Sequence, residues 1–268
     1  MTGVGELGTA AQALRSKRLT PSERAAIEAL VRAVALLHTR VGYAGVDDAG
    51  AAVRLILREP EAGTGGPWAT MGTINVGATN ALAKRAPQRA RADVLLTVDV
   101  ALHELTHVIQ FAKMPAAATP NGAIVEGMAD AVAIFATGDD TLGEGMYKTG
   151  PDGRPMGSVR ELGGAHRTSG APLGVVINTY AQATAPGAEE HAAGGVVSAT
   201  FIALRASVGR ETAERLLWNV IRDAGAWSAG GTWSELARAM RRAAGTDAAL
   251  LTAVDAALAS TGLNAALR

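Results

Sequence analysis

The sequence contains no cysteine in its 268 residues. No disulfide can form and no thiolate can hold a metal, so any transition metal must be bound by imidazole and carboxylate. Histidine is scarce as well, with five in the chain, and each deserves to be located. An excess of charge of either sign is also missing, because 25 Lys plus Arg stand against 25 Asp plus Glu. With no net field, neither nucleic acid nor a membrane is expected as the main partner; a small molecule or a polypeptide fits better. Met1 to Thr20 lacks the continuous apolar stretch of a secretory signal, and no other run approaches a transmembrane span. The expectation is a soluble chain without a signal peptide, cytoplasmic or exported without a leader. Alanine and glycine are abundant, a bias ascribed to genomic base composition.

The length suffices for a sizeable core, in one two-lobed domain or two small ones. Thr20-Pro21-Ser22-Glu23 reads as a capping box with proline in the first turn, and Ile27, Leu30, Val31, Val34 and Leu37 supply the apolar face of the helix that follows. His38, at its end, reads as a C-terminal cap feature. Gly42 and Gly45 break the pattern. Val53 to Leu57 and Thr73 to Val76 read as strands, with a glycine-rich loop from Glu61 to Pro67 between them. From Asp93 onward the chain is mostly helical. The segments are Asp93 to Lys113, Gly122 to Phe135, Ala193 to Val208, Arg210 to Ala224, Trp233 to Ala244 with a Thr232/Glu235 capping box, and Ala248 to Ser260. Thr137 to Gly157 reads as a long loop, which is uncommon unless functional. The expected fold class is α+β: a lobe of residues 1–113 with a small mixed sheet, a mainly helical lobe of residues 114–268, and one catalytic unit with its active-site helix between them.

His103-Glu104-Leu105-Thr106-His107 lies on the first of these later helices. A spacing of four puts both imidazoles on one face, one turn apart, able to share a Zn²⁺ ion. Glu104 would sit beside the metal, where a carboxylate can take a proton from water whose pKa zinc lowers from about 16 towards 7. A catalytic zinc needs a third protein ligand and an open position. Glu126, near the start of the next helix and reached through the turn at Met114 to Asn121, is the candidate. Asp130 lies four residues further on the same face and would accept the free ring N–H of a ligating histidine. Gly63 to Gly66 lacks the lysine and the context of a phosphate loop. Trp218, Trp227 and Trp233 read as packing residues.

The segments Asp99 to His107 and Asn121 to Asp130 resemble the zinc-binding helices of thermolysin-like metallopeptidases, whose pattern is HExxH followed downstream by Glu-x-x-x-Asp (the gluzincin arrangement). Leu142-Gly143-Glu144 resembles the Ile-Gly-Glu of that family, and Ser158-Val159-Arg160 resembles its Leu-Arg-Ser. His191 to Ser198 is similar to its histidine-bearing helix start, and Gly209-Arg210-Glu211 to Val220 to its Gly-Arg-Asp helix. The resemblance runs from Asp99 to about Ala244 and leaves residues 1–90 without a counterpart. It implies a zincin-like fold, metalloendopeptidase activity, His191 as the catalytic histidine stabilising an oxyanion, and Arg160 binding a substrate carbonyl. Glu161 to Gly170 offers His166 as a rival, but an uninterrupted helix follows His191, whereas Pro172 and Gly174 follow His166.

The departures from the family are specific. No tyrosine stands between Ala116 and Asn121, and Pro186 replaces the acid that precedes the catalytic histidine, with Glu189 and Glu190 as substitutes. Asp99, Asp139 and Glu144 match calcium ligands of the family, but Thr137 and Thr141 replace others, so at most one Ca²⁺ is expected. Peptide-bond hydrolysis by a metal-activated water with Glu104 as general base is the leading expectation, acting on peptides or unfolded chains. Two alternatives remain. HELTHVIQ also resembles a zinc-peptidase-like domain in cargo of contractile injection systems, which suggests a processing or toxin-like protease with one partner. The missing tyrosine suggests instead a catalytically silent module that zinc merely stabilises.

Overall fold

In this computed structural model, which describes residues 8–59, 67–70, 72–77, 96–114, 121–143, 160–161, 177–223 and 231–268, a single turn α1 (Ala10–Ala13) precedes the long helix α2 (Pro21–Val41). The capping box at Thr20 forms as the sequence predicts. The Thr20 hydroxyl accepts from the Glu23 N–H, and the Glu23 carboxylate accepts in return from the Thr20 N–H. Two of the donors that a helix start leaves unpaired are thereby satisfied. Gly42 ends α2 at φ 66°, and its N–H donates to the His38 carbonyl, so the cap uses the backbone of His38. Ala26, Leu30, Ala33 and Leu37 are buried, but Val31 is 46% exposed. A helix turns about 100° per residue, so Val31 cannot share the inward face that Leu30 occupies.

The loop after α2 is tied to the far end of the chain. Asp48 sits at φ 65°, accepts from the Ala44 N–H, and pairs with Arg222 Nε at 2.9 Å. Burial works against the Asp48 carboxylate, but the Arg222 and Ala44 hydrogen bonds outweigh it and hold its pKa below the ordinary value. The stability this group adds is therefore complete above its unfolded pKa of about 3.9 and is lost as pH falls through the lower folded value. Asp48→Ala should cost about 1–2 kcal/mol at neutral pH, through lost hydrogen bonds and a left-handed alanine. The loss should shrink in acid; urea unfolding at pH 7 and pH 3 checks both statements.

A three-stranded sheet follows, made of β1 (Arg54–Glu59), β2 (Trp68–Thr70) and β3 (Thr73–Gly77) in the order β1-β3-β2. β1 and β3 are parallel, with Leu55 opposite Ile74, and β2 is antiparallel to β3. The sheet is small and mixed, as expected. β2 escaped the sequence reading because three residues are too few to show a period of two.

Helix α3 (Val98–Lys113) packs on this sheet and on α2. It begins later than the predicted Asp93, because Thr97 is extended and acts as its N-cap; Asp93 itself lies outside the described residues. Helix α4 (Gly122–Thr137) packs on α3. Part of the predicted long loop is strand: β4 (Thr141–Leu142) pairs antiparallel with β5 (Arg160–Glu161). A two-residue ladder carries no sequence periodicity. After the short α5 (Tyr180–Ala183) come α6 (Glu190–Val208), α7 (Arg210–Arg222), α8 (Trp233–Ala244), α9 (Ala248–Ser260) and a closing 3₁₀ turn, Leu263–Leu267. α6 starts before the predicted Ala193 because the Glu189 carboxylate caps it, accepting from the Ala192 N–H at 2.9 Å. Trp218 is fully buried and packs against Tyr43 with the rings tilted by 36° and 5.1 Å apart, and Trp233 packs edge-on against Tyr180. Trp227 lies outside the described residues.

α6 is the central helix of the C-terminal half, in contact with α4, α7 and α9. Among the described residues it is also the one helix long and apolar enough to cross a membrane by length and composition, a run the sequence reading passed over. Its burial against three other helices explains that composition. Its contact with α4 runs through two glycines: a Cβ on Gly127 would lie 2.1 Å from the Gly194 carbonyl oxygen. The two backbones therefore pack directly against each other, which sets the geometry of the site described next.

Candidate metal centre

Every residue of α3 from Ala101 to Gln110 is buried, and so is most of α4. Polar side chains in such a setting must find partners or lose free energy. They find one another. His103 Nε2 and His107 Nε2 lie 2.9 Å apart. Glu126 Oε2 is 3.1 Å from the first, and Glu126 Oε1 is 3.4 Å from the second. These three residues can each offer a ligand atom to one metal ion. Glu126 Oε2 is buried and makes no hydrogen bond of regular geometry, although His103 Nε2 lies near it. A buried carboxylate oxygen without a donor, facing two imidazole nitrogens, is a donor set that suits a cation between them.

The outer faces of the two rings are held differently. His103 Nδ1 is 2.8 Å from the fully buried Asp130 Oδ1. His107 Nδ1 is 3.1 Å from Gln110 Oε1. Gln110 was missed by sequence reasoning. Its signal was a polar residue one turn beyond His107, between the apolar Ile109 and Phe111. The field of the pocket favours positive charge. Burial alone would lower the pKa of His103, yet Asp130 and Glu126 raise it to about 10. Burial would likewise raise Glu126, but His103 and His107 draw it well below the carboxylate range. The same two carboxylates would face a metal cation held there, which would have to displace the His103 proton to bind its ring nitrogen.

Glu104 follows His103 in α3 and is 6% exposed. His191, in the first turn of α6, brings its Nε2 to 3.6 Å from Glu126 Oε2 while remaining 44% exposed. Its Nδ1 lies 2.5 Å from Glu189 Oε1. Glu189 therefore serves both His191 and the start of α6, whereas Glu190 lies beside Gly122, on the other side of the turn. Of the two acids that the sequence offered beside His191, Glu189 is the one in contact with its ring.

The outer candidates are less complete. Leu142 pairs with Arg160 across the β4–β5 ladder, but the Arg160 side chain, His166, Glu144 and residues 115–120 lie outside the described residues. Asp99 and Asp139 line one cavity of about 200 Å³ with Val98, Thr137 and Thr141. Asp99 Oδ2 accepts from the Gly143 N–H at 2.5 Å, and Asp139 Oδ1 accepts from the Thr141 hydroxyl at 2.9 Å. Each of these carboxylates thus has one oxygen engaged by the protein.

The fold is shared with a metalloproteinase. The precursor of protealysin, a metalloproteinase from Serratia proteamaculans, is similar over 93% of this chain and 80% of that chain, with a TM-score of 0.70 at 14% sequence identity. The architecture is accordingly a zincin-like α+β fold. No protein-family model matches the sequence. No curated protein matches it either.

Proposed function

We propose that this chain is a zinc-dependent peptidase in which His103, His107 and Glu126 hold the metal, Glu104 is the general base and His191 faces the reacting carbonyl. The observation that carries this reading is the convergence of two Nε2 atoms on a buried carboxylate oxygen that has no donor of its own. The donor set suits zinc. Tetrahedral zinc at about 2.0–2.1 Å from each nitrogen or oxygen separates its ligands by about 3.3 Å, and the atoms here stand 2.9, 3.1 and 3.4 Å apart. Magnesium and calcium prefer oxygen, in larger number. When bound, zinc would supply Lewis acidity, polarising a carbonyl and acidifying water.

The protein's own groups do the rest. Asp130 holds the His103 ring by its Nδ1–H, so the Nε2 lone pair faces the site. Glu104 would take a proton from water and return it to the leaving amine, for which a carboxylate next to the metal is suited. His191, tethered by Glu189 and open to solvent, would donate to the oxyanion as it develops. Arg160 would bind a substrate carbonyl. Asp99 and Asp139, with Glu144, would supply one calcium site. Peptides or unfolded polypeptides are the substrate class, cleaved internally, with residues 1–113 and 114–268 acting as one catalytic unit.

The test is metal content by mass spectrometry together with cleavage of casein and short peptides. About one zinc per chain is expected, with cleavage lost on chelation and restored by zinc; a chain without zinc would overturn the proposal. Zinc without cleavage of any generic peptide would favour a single dedicated partner or a silent module. His191→Ala should lower kcat by about 10²–10³-fold with zinc content unchanged. A kcat within twofold of the original would remove His191 from the reaction.

A further inference from the structure

Gln110 occupies a position that decides more than its own packing. It is fully buried on α3, with one end of its amide toward His107 Nδ1 at 3.1 Å and the other toward the backbone carbonyl of Val125 on α4, also at 3.1 Å. A backbone carbonyl can only accept, so the Gln110 nitrogen must face Val125. The Gln110 oxygen then faces His107, and it too can only accept. His107 Nδ1 is therefore the ring nitrogen that carries the proton, and Nε2 presents its lone pair to Glu126 and His103. A carbonyl on one helix thus sets the tautomer of a histidine on another, through one side chain.

The same residue also links the two ligand-bearing helices. Val125 immediately precedes Glu126, so the hydrogen bond to its carbonyl ties the approach of Glu126 to that of His107. The two histidines are served by chemically different partners. His103 is held by the anion Asp130, His107 by a neutral amide. Glu126, Asp130 and the buried Glu104, one residue after His103, already bring three carboxylates to these two helices, and an acid at position 110 would add another where a neutral amide stands.

We infer that Gln110 is the positioning residue of the metal centre, fixing the His107 tautomer and the spacing of His107 and Glu126 through its bridge to the Val125 carbonyl. The inference rests on the proposed zinc site, but the tautomer can be read in the protein whether or not zinc binds. Gln110→Met keeps the length and the helix preference of the side chain and removes both hydrogen bonds; Gln110→Glu keeps an acceptor for His107 and loses the donor to Val125.

The experiment is zinc affinity by competition with a chelator, together with ¹⁵N shifts of the His107 ring, on the full chain. Wild type should show His107 protonated at Nδ1. Gln110→Met should lose that single tautomer and bind zinc about 10–100-fold more weakly, and Gln110→Glu should restore the tautomer. A wild-type His107 protonated at Nε2 would overturn the inference without any variant, even if Gln110→Met failed to fold. Unchanged zinc affinity in a folded Gln110→Met would also overturn it. A wild type that binds no zinc would instead remove the proposed function, while an Nδ1–H tautomer that depends on Gln110 would still stand.

Discussion

Glu104→Gln should lower kcat for peptide hydrolysis by about 10²–10⁴-fold, the usual contribution of a general base, while zinc content stays at about one per chain. Glutamine has the shape of glutamate and fits the same buried position in α3, but its amide cannot accept a proton at neutral pH. The variant therefore separates chemistry from folding and from metal binding. KM should change little, because the lost interaction belongs to the transition state. If the site were a zinc-stabilised module without turnover, the substitution would leave every measurable property as it was. A Glu104→Gln protein that holds zinc and cleaves within twofold of the original would therefore withdraw Glu104 from the role of base.

Gly127→Ala should have the second large effect, on stability and on turnover together. A Cβ at this position would lie 2.1 Å from the Gly194 carbonyl oxygen and 2.7 Å from Val197 Cβ. Neither can step aside cheaply, since one is helix backbone and the other is the branch point of a buried side chain, so α4 and α6 must separate. Overpacking of this kind costs about 1–3 kcal/mol. Gly127 adjoins Glu126, and Gly194 lies three residues after His191 on α6. Separation at the glycines would thus draw His191 away from Glu126, and a displacement of about 1 Å can cost about 10²-fold in rate. Gly194→Ala should behave alike, since its Cβ would meet Gly127 N at 2.7 Å. Gly122→Ala is the control. There the three atoms nearest to a Cβ all belong to the Glu190 side chain, whose carboxylate can swing away. Thermal unfolding and kcat for the three variants decide the matter: a Gly127→Ala protein as stable as Gly122→Ala would refute the direct backbone packing.

Much of the site was legible because the rules that place it are local. His103 and His107 share a helix face by the period of the α-helix alone, and Asp130 lies one turn beyond Glu126 for the same reason. The caps at Thr20 and Thr232 form within four residues of chain, and both are present. Burial of α4 follows from its nearly continuous apolar sequence, whereas the burial of α3 includes His103, Glu104, Thr106, His107 and Gln110. Short elements were not legible: β2, β4 and β5 are each three residues or fewer, too short to show a period of two, and β4 and β5 pair across about twenty residues of chain.

The sequence by itself determined the helices that carry His103, His107 and Glu126, the spacing of the two histidines and the class of metal chemistry that a chain without cysteine can support. Tertiary structure alone decided which residues meet across helices. It placed His191 against Glu126, chose Glu189 over Glu190 as its partner, and set Gln110 between His107 and the Val125 carbonyl. The reason is physical. Periodicity and capping are short-range properties of one segment, whereas the approach of α6 to α4 depends on two glycines far apart in the chain, whose missing side chains count only once the helices are packed.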